Sequence, residues 1–304
     1  MDVILNLVAN VLQEGFIYGI MAIGVYITYQ VLGFPDLSVD GTFPLGACIT
    51  GVLITAGVNP WLACVLAFAG GALAGCVTGF LHVKLKITDL LSGILVMTAL
   101  WSINLVVTNG SAVVQFFNGT TIFNSGLALL IPDSLMNYRI LIMAFLVVVV
   151  VKIIIDLYLK TKSGLLLRAS GDNPQFVTSL GQNSGKMKVI GLAIGNGCTA
   201  LAGSILSQQS ASASIYSGTG MVVMALASVI IGTSIFKKVK FIKPTVAVVL
   251  GAILYKACLV IAMQLGLPAN YMKLLMAVIF TVALVSNNMF AGRRKKQNVN
   301  PTQI

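Results

Sequence analysis

Apolar residues fall along this chain in stretches of about 20, each bounded by charged residues or by Gly and Pro, the length a helix needs to cross a bilayer core. They lie near 5–32, 60–83, 90–109, 138–159, 187–207, 218–236, 243–266 and 271–290. A ninth, 43–58, is shorter. At 1.5 Å per residue it rises only about 24 Å, against a hydrocarbon core of about 30 Å. Either it crosses obliquely with help from its neighbours, or the loop leading into it dips into the membrane. The pattern predicts an all-α polytopic membrane protein with eight or nine transmembrane helices.

Composition excludes a soluble protein. Of 304 residues, 58% are hydrophobic and 9% charged, against about 25% charged in an ordinary soluble domain. Lys and Arg outnumber Asp and Glu 19 to 8, and in a membrane protein such an excess marks cytoplasmic loops, not nucleic-acid binding. Four loops, around 84–86, 160–188, 237–243 and 293–296, hold 15 of the 19 basic residues. Nine crossings put all four on one side, which predicts an external N-terminus and a cytoplasmic C-terminus. The loop 110–137 on the opposite side holds only Asp133, with Arg139 at its far edge. No Lys or Arg precedes Lys84, so the start lacks the basic region of a cleaved signal peptide and the first apolar segment is expected to stay. The chain is read as one transmembrane domain over 1–292, with a cytoplasmic loop at 160–188 and a basic cytoplasmic tail at 293–304 that anionic headgroups would attract.

Catalytic chemistry has little to stand on. There is no GxxxxGK[ST] phosphate loop, GxSxG elbow or HExxH motif, so the chain is expected neither to hydrolyse ATP nor to act as an intramembrane hydrolase. Five cysteines without CxxC spacing and a single histidine, His82, offer no metal set or disulfide framework. No cofactor is expected.

Two polar interruptions occupy corresponding places in the two halves: GFPDLSVDGTFP at 33–44, and SQQSASASIYSGTG at 207–220. Paired breaks of this kind point to a transport pathway, because non-helical backbone survives at membrane depth only in protein or beside water. They bring forward Asp36, Ser38, Asp40, Thr42, Gln208 and Gln209 as pathway residues. Asp40 and Thr42 also suit simple capping of the 43–58 helix, with Pro44 in its first turn. Lys256, about 13 residues past Lys243 and so roughly 20 Å into the membrane, joins them as an intramembrane charge that function or snorkelling would explain. Asn104 is added, while it and Asn196 equally suit hydrogen bonding between helices. Lys152 and Asp156, one turn apart, are expected to pair.

The loop at 160–188 predicts a helix of about two turns. Asp172 or Asn173 caps it, Pro174 opens it and Gly181 ends it. Phe176, Val177 and Leu180 are placed on one face that would dock into a groove or lie on the membrane.

GFIYGIMAIGVYITYQVLGFPDLSVDGTFPLGA (15–47) resembles the opening of the permeases of ABC importers for branched-chain amino acids, ribose and nucleosides. SGLLLRASGDNPQFVTSLGQN (163–183) and GMVVMALASVIIGTSIF (220–236) resemble that family's ATPase-coupling loop and small-residue helix. The PDLSVDGTFPLGA form is most similar to permeases assigned to tryptophan/tyrosine import. The resemblance implies a BtuC-like type II importer fold with inverted-repeat halves, and two permease copies forming a homodimer in the bacterial plasma membrane. It also implies cytoplasmic ATPase subunits and an extracytoplasmic solute-binding protein. On the matching positions it assigns ATPase coupling to Arg168, Asp172, Asn173, Pro174, Phe176, Val177, Leu180 and Gly181. The expected function is the pathway-forming subunit of an importer for a small organic solute, most of all an aromatic amino acid; a stand-alone secondary transporter is the alternative. Two departures from the resemblance are expected: no counterpart to the extra first helix of ribose-type permeases, and Pro35 to Gly41 in place of the branched-chain members' Asn-Phe-Ala-His-Gly string.

Overall fold

The computed structural model describes residues 2–236, 239 and 241–297. Helix α1 (Asp2–Val25) runs on into a π-helical turn at Tyr26–Val31. It is followed by α2 (Val39–Thr55), α3 (Pro60–Val83), α4 (Asp89–Val107) and α5 (Arg139–Tyr158). Two short helices, α6 (Lys162–Asp172) and α7 (Pro174–Ser179), lead to α8 (Ser184–Ser210). The order ends with α9 (Met221–Ile235), α10 (Pro244–Gln264) and α11 (Met272–Gln297). Strand β1 (Val113–Gln115) pairs antiparallel with β2 (Ser212–Ser214), Val114 opposite Ala213.

Seven helical stretches among the described residues are long and apolar enough to cross a bilayer, and Val39–Thr55 and Met272–Val285 are shorter apolar helices. The nine stretches expected from the sequence are thus all helical. Three begin early by three residues or more: α1 at Asp2, where 5 was expected, α2 at Val39, where 43 was expected, and α8 at Ser184, where 187 was expected. Helix α11 runs past residue 292 to Gln297. The rest of the basic tail, 298–304, and Lys237, Lys238 and Lys240 lie outside the described residues.

Helices in lipid gain nothing from mutual burial of apolar surface, so close packing of small residues must hold them together. Gly24 of α1 lies against Gly195 and Cys198 of α8, and a Cβ added there would sit 2.5 Å from the Gly195 carbonyl oxygen. Leu32, further along α1, meets Gly191, so the two helices run antiparallel. Around that crossing the packing repeats with the halves exchanged. Helix α3 lies along α8 as α10 lies along α1, and α2 contacts α3 and α4 as α9 contacts α10 and α11. The fold is two inverted four-helix sets, α1–α4 and α8–α11, with α5–α7 between them. Gly46 against the Ala200 carbonyl and Gly203 against the Phe43 carbonyl seat α2 on α8 in the same way.

Candidate solute pathway at the paired helix breaks

Each half stops and restarts inside the protein. In the first, α1 and its π turn end at Leu32 beside Gly191, and the chain turns at Gly33. There φ is +68°, a left-handed value that glycine adopts without cost. The chain then runs back to Ser38, whose hydroxyl lies 3.0 Å from Asn196 Oδ1. Asn196 is five residues beyond Gly191 on α8, so α2 starts roughly 7 Å inside the level at which α1 ends. In the second half, α8 ends at Ser210, Ala211 takes φ +50°, and Ala213 packs on Gly51 near the end of α2. A 3-10 turn at Ile215–Gly218 leads back down α2 until Gly218 rests on the Asp40 carbonyl. Eleven residues of α2 separate Gly51 from Asp40, so α9 starts about 16 Å inside that end.

The two restarting helices therefore meet N-terminus to N-terminus, with Asp40 between them. Its Oδ1 accepts the Val222 N–H at 2.7 Å and its Oδ2 the Gly220 N–H at 3.1 Å. Asp40 is also in the first turn of α2. One carboxylate thus faces the positive ends of two helix dipoles and satisfies two orphan amides of α9. Capping falls across the molecule, not within the residue's own helix. The Asp40 carbonyl lacks its usual i+4 donor because Pro44 has no N–H, and that bare carbonyl is the surface on which Gly218 packs.

Asp36 is 5% exposed and accepts three hydrogen bonds: from Ser38 N–H at 2.9 Å, Ser38 Oγ at 2.6 Å and Asn196 Nδ2 at 2.6 Å. Asn196 accepts from Thr42 Oγ1 at 2.8 Å and also donates to the Leu192 carbonyl at 3.1 Å. Asn104 reaches from α4 to the Gly41 carbonyl, its Nδ2 3.2 Å away, and its buried Oδ1 has no partner among the described residues. Asp36, Ser38, Asp40, Thr42 and Asn104 thus come together around the start of α2. A cavity of about 650 Å³ opens beside Pro35, lined also by His82, Lys86, Asp89 and Leu90. The Lys188 ammonium donates to His82 Nε2 at 3.0 Å, leaving Nδ1–H to face the Ile87 carbonyl.

Gln208 lies elsewhere, twelve residues or about 18 Å along α8 from Asn196. It accepts the Ile122 N–H at 2.9 Å and donates to Cys64 Sγ at 3.1 Å, tying the 111–131 loop to the bundle. Gln209 has a buried Oε1 without a partner among the described residues. Lys256 pairs with Glu14 of α1 at 2.5 Å and lies 5.8 Å over the Tyr18 ring, whose other neighbour is Phe43 of α2 at 6.4 Å. Lys152 pairs with Asp156 at 3.0 Å, and Asp156 further holds Lys243 at 3.3 Å and Thr245 at 2.7 Å, joining α5 to the start of α10.

At 160–188, Asn173 is the cap, its Oδ1 accepting from Gln175 and Phe176 N–H at 3.1 and 3.2 Å. Pro174 opens α7, and Gly181 follows with φ +71°. Arg168, Asp172, Phe176 and Leu180 are exposed. Val177 is fully buried, so it does not share the face of Phe176 and Leu180 as expected: adjacent helical positions diverge by about 100°. Gly171 of α6 packs on the Val31 carbonyl, and Leu167 meets Leu32 over Gly191, which places this turn directly under the first break. Neither that junction nor the Asp40–α9 contact has a local signal. The glycines at 171 and 218 mark them only in hindsight.

A chain with inverted halves, each broken and restarted at depth around a polar junction, is a membrane permease. It belongs to the branched-chain amino acid transport system permease-component family, whose profile matches residues 7–284. It is 40% identical over 288 residues to the tyrosine transport system permease protein of Clostridioides difficile (strain R20291), covering 95% of this chain and 94% of that one. It is 26% identical over 288 residues to the ribose import permease of Escherichia coli (strain K12), covering 93% and 86%. No solved structure matches it. The chain is the permease component of an ABC importer for a small solute, a multi-pass inner-membrane protein and not an enzyme.

Proposed function

We propose that this permease imports an aromatic amino acid, driven by ATPase subunits that dock on the exposed face of α7 and supplied by an extracytoplasmic solute-binding protein. The head-to-head junction at Asp40 carries the reading, since half-helices meeting at depth are where transporters hold their solutes. The tyrosine transport permease at 40% identity supports the solute class. The pathway follows the two breaks, Asp36 to Thr42 with Asn104 in one and Gln208 to Gly220 in the other, with Lys256 beside it. Two copies of the chain form the complete pathway. Closure of the ATPases moves α6 and α7, and the Gly171–Val31 contact passes that movement to the first break.

Cells producing this permease with its cognate ATPase and solute receptor should accumulate radiolabelled L-tyrosine. Uptake should stop with an ATPase-inactivating substitution in the partner and survive a protonophore. Uptake that needs no ATPase and follows the proton gradient would instead make the chain a secondary transporter. The distribution of basic loops supports an external N-terminus and a cytoplasmic C-terminus. In a cysteine-free background, an impermeant thiol reagent on intact cells should label a cysteine at position 2 and spare one at position 300. The reverse pattern would invert the topology.

A further inference from the structure

The cavity beside Pro35 lies at a defined depth. Its walls come from the end of α3, the connection 84–88 and the start of α4, with His82, Lys86, Asp89 and Leu90 among them. Both helices are long and apolar enough to cross a bilayer, and only five residues join them. The connection therefore sits at the membrane surface, where headgroups lie. Phe80, Leu85, Leu90 and Leu91 flank it, each more than half exposed, and apolar side chains turned outward at the ends of spanning helices meet acyl chains. Charge narrows the occupant further. Lys86 lines the cavity, and among the described residues no ion pair engages it, Lys84 or Lys188. Lys188 donates to the uncharged Nε2 of His82, and Asp89 Oδ1 lies 3.1 Å from His82 Nδ1. The three lysines thus outnumber the carboxylate, which is turned to the imidazole, and the excess charge suits a phosphate. The backbone adds a separate observation. Lys86 takes φ +56°, the left-handed region that glycine enters without cost. The turn is fastened on both sides of it: Ile87 N–H donates to the Leu81 carbonyl at 3.2 Å, and the Ile87 carbonyl accepts from His82 at 2.9 Å. Glycine would make this turn with less strain; lysine keeps a charge on the cavity wall instead.

We propose that this corner is a binding site for an anionic glycerophospholipid, its phosphate on Lys86 and its acyl chains along Leu85, Leu90 and Leu91. Basic pockets between helix ends take anionic headgroups in this way. The half-buried Asp89 meets the headgroup's hydroxyls. The lipid belongs to the leaflet on the side of α6 and α7, because Lys188, which reaches His82, stands in the second turn of α8 just after them. The site is distinct from the Asp36–Asn196 network but adjoins it: Pro35 lines the cavity, and the Phe34 ring meets His82 edge to face at 5.2 Å. A bound lipid therefore braces the wall between the first break and the start of α8, whichever solute the permease carries.

Native mass spectrometry of the full-length permease, purified in a detergent with an uncharged headgroup, tests this with phosphatidylglycerol, phosphatidylcholine and free glycerol 3-phosphate as probes. Phosphatidylglycerol should form the tightest first adduct, phosphatidylcholine a weaker one and glycerol 3-phosphate none. Lys86→Gln should weaken the phosphatidylglycerol adduct about fivefold, the share of one lysine at a membrane surface. Lys86→Arg should retain it, and Lys162→Gln, at an exposed lysine of α6, should leave it unchanged. Lys86→Gly separates the site from stability. It relieves the left-handed turn, so without lipid it should melt no lower than wild type, yet it should lose affinity for phosphatidylglycerol as Lys86→Gln does. Undiminished binding in Lys86→Gln and Lys86→Gly, or an equal loss in Lys162→Gln, would reduce the effect to diffuse surface charge and overturn the proposal. Equally tight glycerol 3-phosphate would make this a site for a soluble phosphate, and equally tight phosphatidylcholine would remove the preference for an anionic headgroup; either overturns the assignment.

Discussion

Asp36→Ala is expected to destabilise the permease more than it alters any single helix, lowering the melting temperature and the folded yield of the detergent-solubilised protein. The carboxylate accepts the Ser38 N–H, the Ser38 hydroxyl and Asn196 Nδ2, all inside the bundle. Alanine leaves the buried Ser38 N–H without a partner, while the Ser38 hydroxyl and Asn196 Nδ2 keep only their longer bonds to Asn196 Oδ1 and the Leu192 carbonyl. Each buried orphan costs roughly 1–3 kcal/mol. Asp36→Asn should be milder in stability, because its amide oxygen still serves Ser38 while only the Asn196 bond is lost. It should still impair uptake, since Asn196 is the hub that fixes Ser38 and Thr42 at the start of α2. Asn196→Ala should destabilise too, and the double variant Asp36→Ala/Asn196→Ala should lose less than the sum, as expected of residues sharing one network. Wild-type melting in Asp36→Ala, or strict additivity in the cycle, would remove the network from the account.

The helices were legible because their signal is local. A run of apolar residues long enough for the bilayer announces itself, and eight of the nine stretches were found within a few residues of their ends, α11 running seven residues further. The shortness of the 43–58 segment was also readable, and its cause, a loop folded back into the protein, was one of the two expected alternatives. What the sequence hid were partners far apart in number. Asp40 reads as a cap of the helix that follows it; that it caps α9 instead depends on two breaks 180 residues apart arriving at one point. Lys256 reads as a lone intramembrane charge, and Glu14, which neutralises it, lies on another helix. The Lys152–Asp156 pair was visible at i and i+4, whereas its links to Lys243 and Thr245 were not. Val177 was misplaced for a different reason: apolar character alone assigns a residue to a face only after the helix's own orientation is known, and α7 turns that residue inward.

Phe176→Asp is expected to abolish import while leaving the permease folded, because it acts on a face turned away from its own chain. Phe176 is 53% and Leu180 54% exposed, one turn apart on a helix that Asn173 and Pro174 start rigidly. Fully burying such a side chain against a partner contributes about 1.5–3 kcal/mol, so losing one weakens association by roughly tenfold or more. A buried aspartate adds a desolvation penalty to that loss. Co-purification of the ATPase should fall accordingly, and ATP hydrolysis by whatever complex remains should no longer drive uptake. Two neighbouring substitutions separate coupling from folding. Thr178→Asp changes an exposed polar position and should leave association within error. Val177→Asp places a charge in a fully buried site and should reduce the folded yield itself. Because Gly171 rests on the Val31 carbonyl, Gly171→Val should produce a third pattern. The added branches cannot fit there, so α6 must lift from α1, and the ATPase would still bind to α7 while import stops. Import that survives Phe176→Asp with normal ATPase co-purification would show that the turn at 174–180 is not the docking element. A Gly171→Val variant that transports normally would show that the first break does not take its motion from α6.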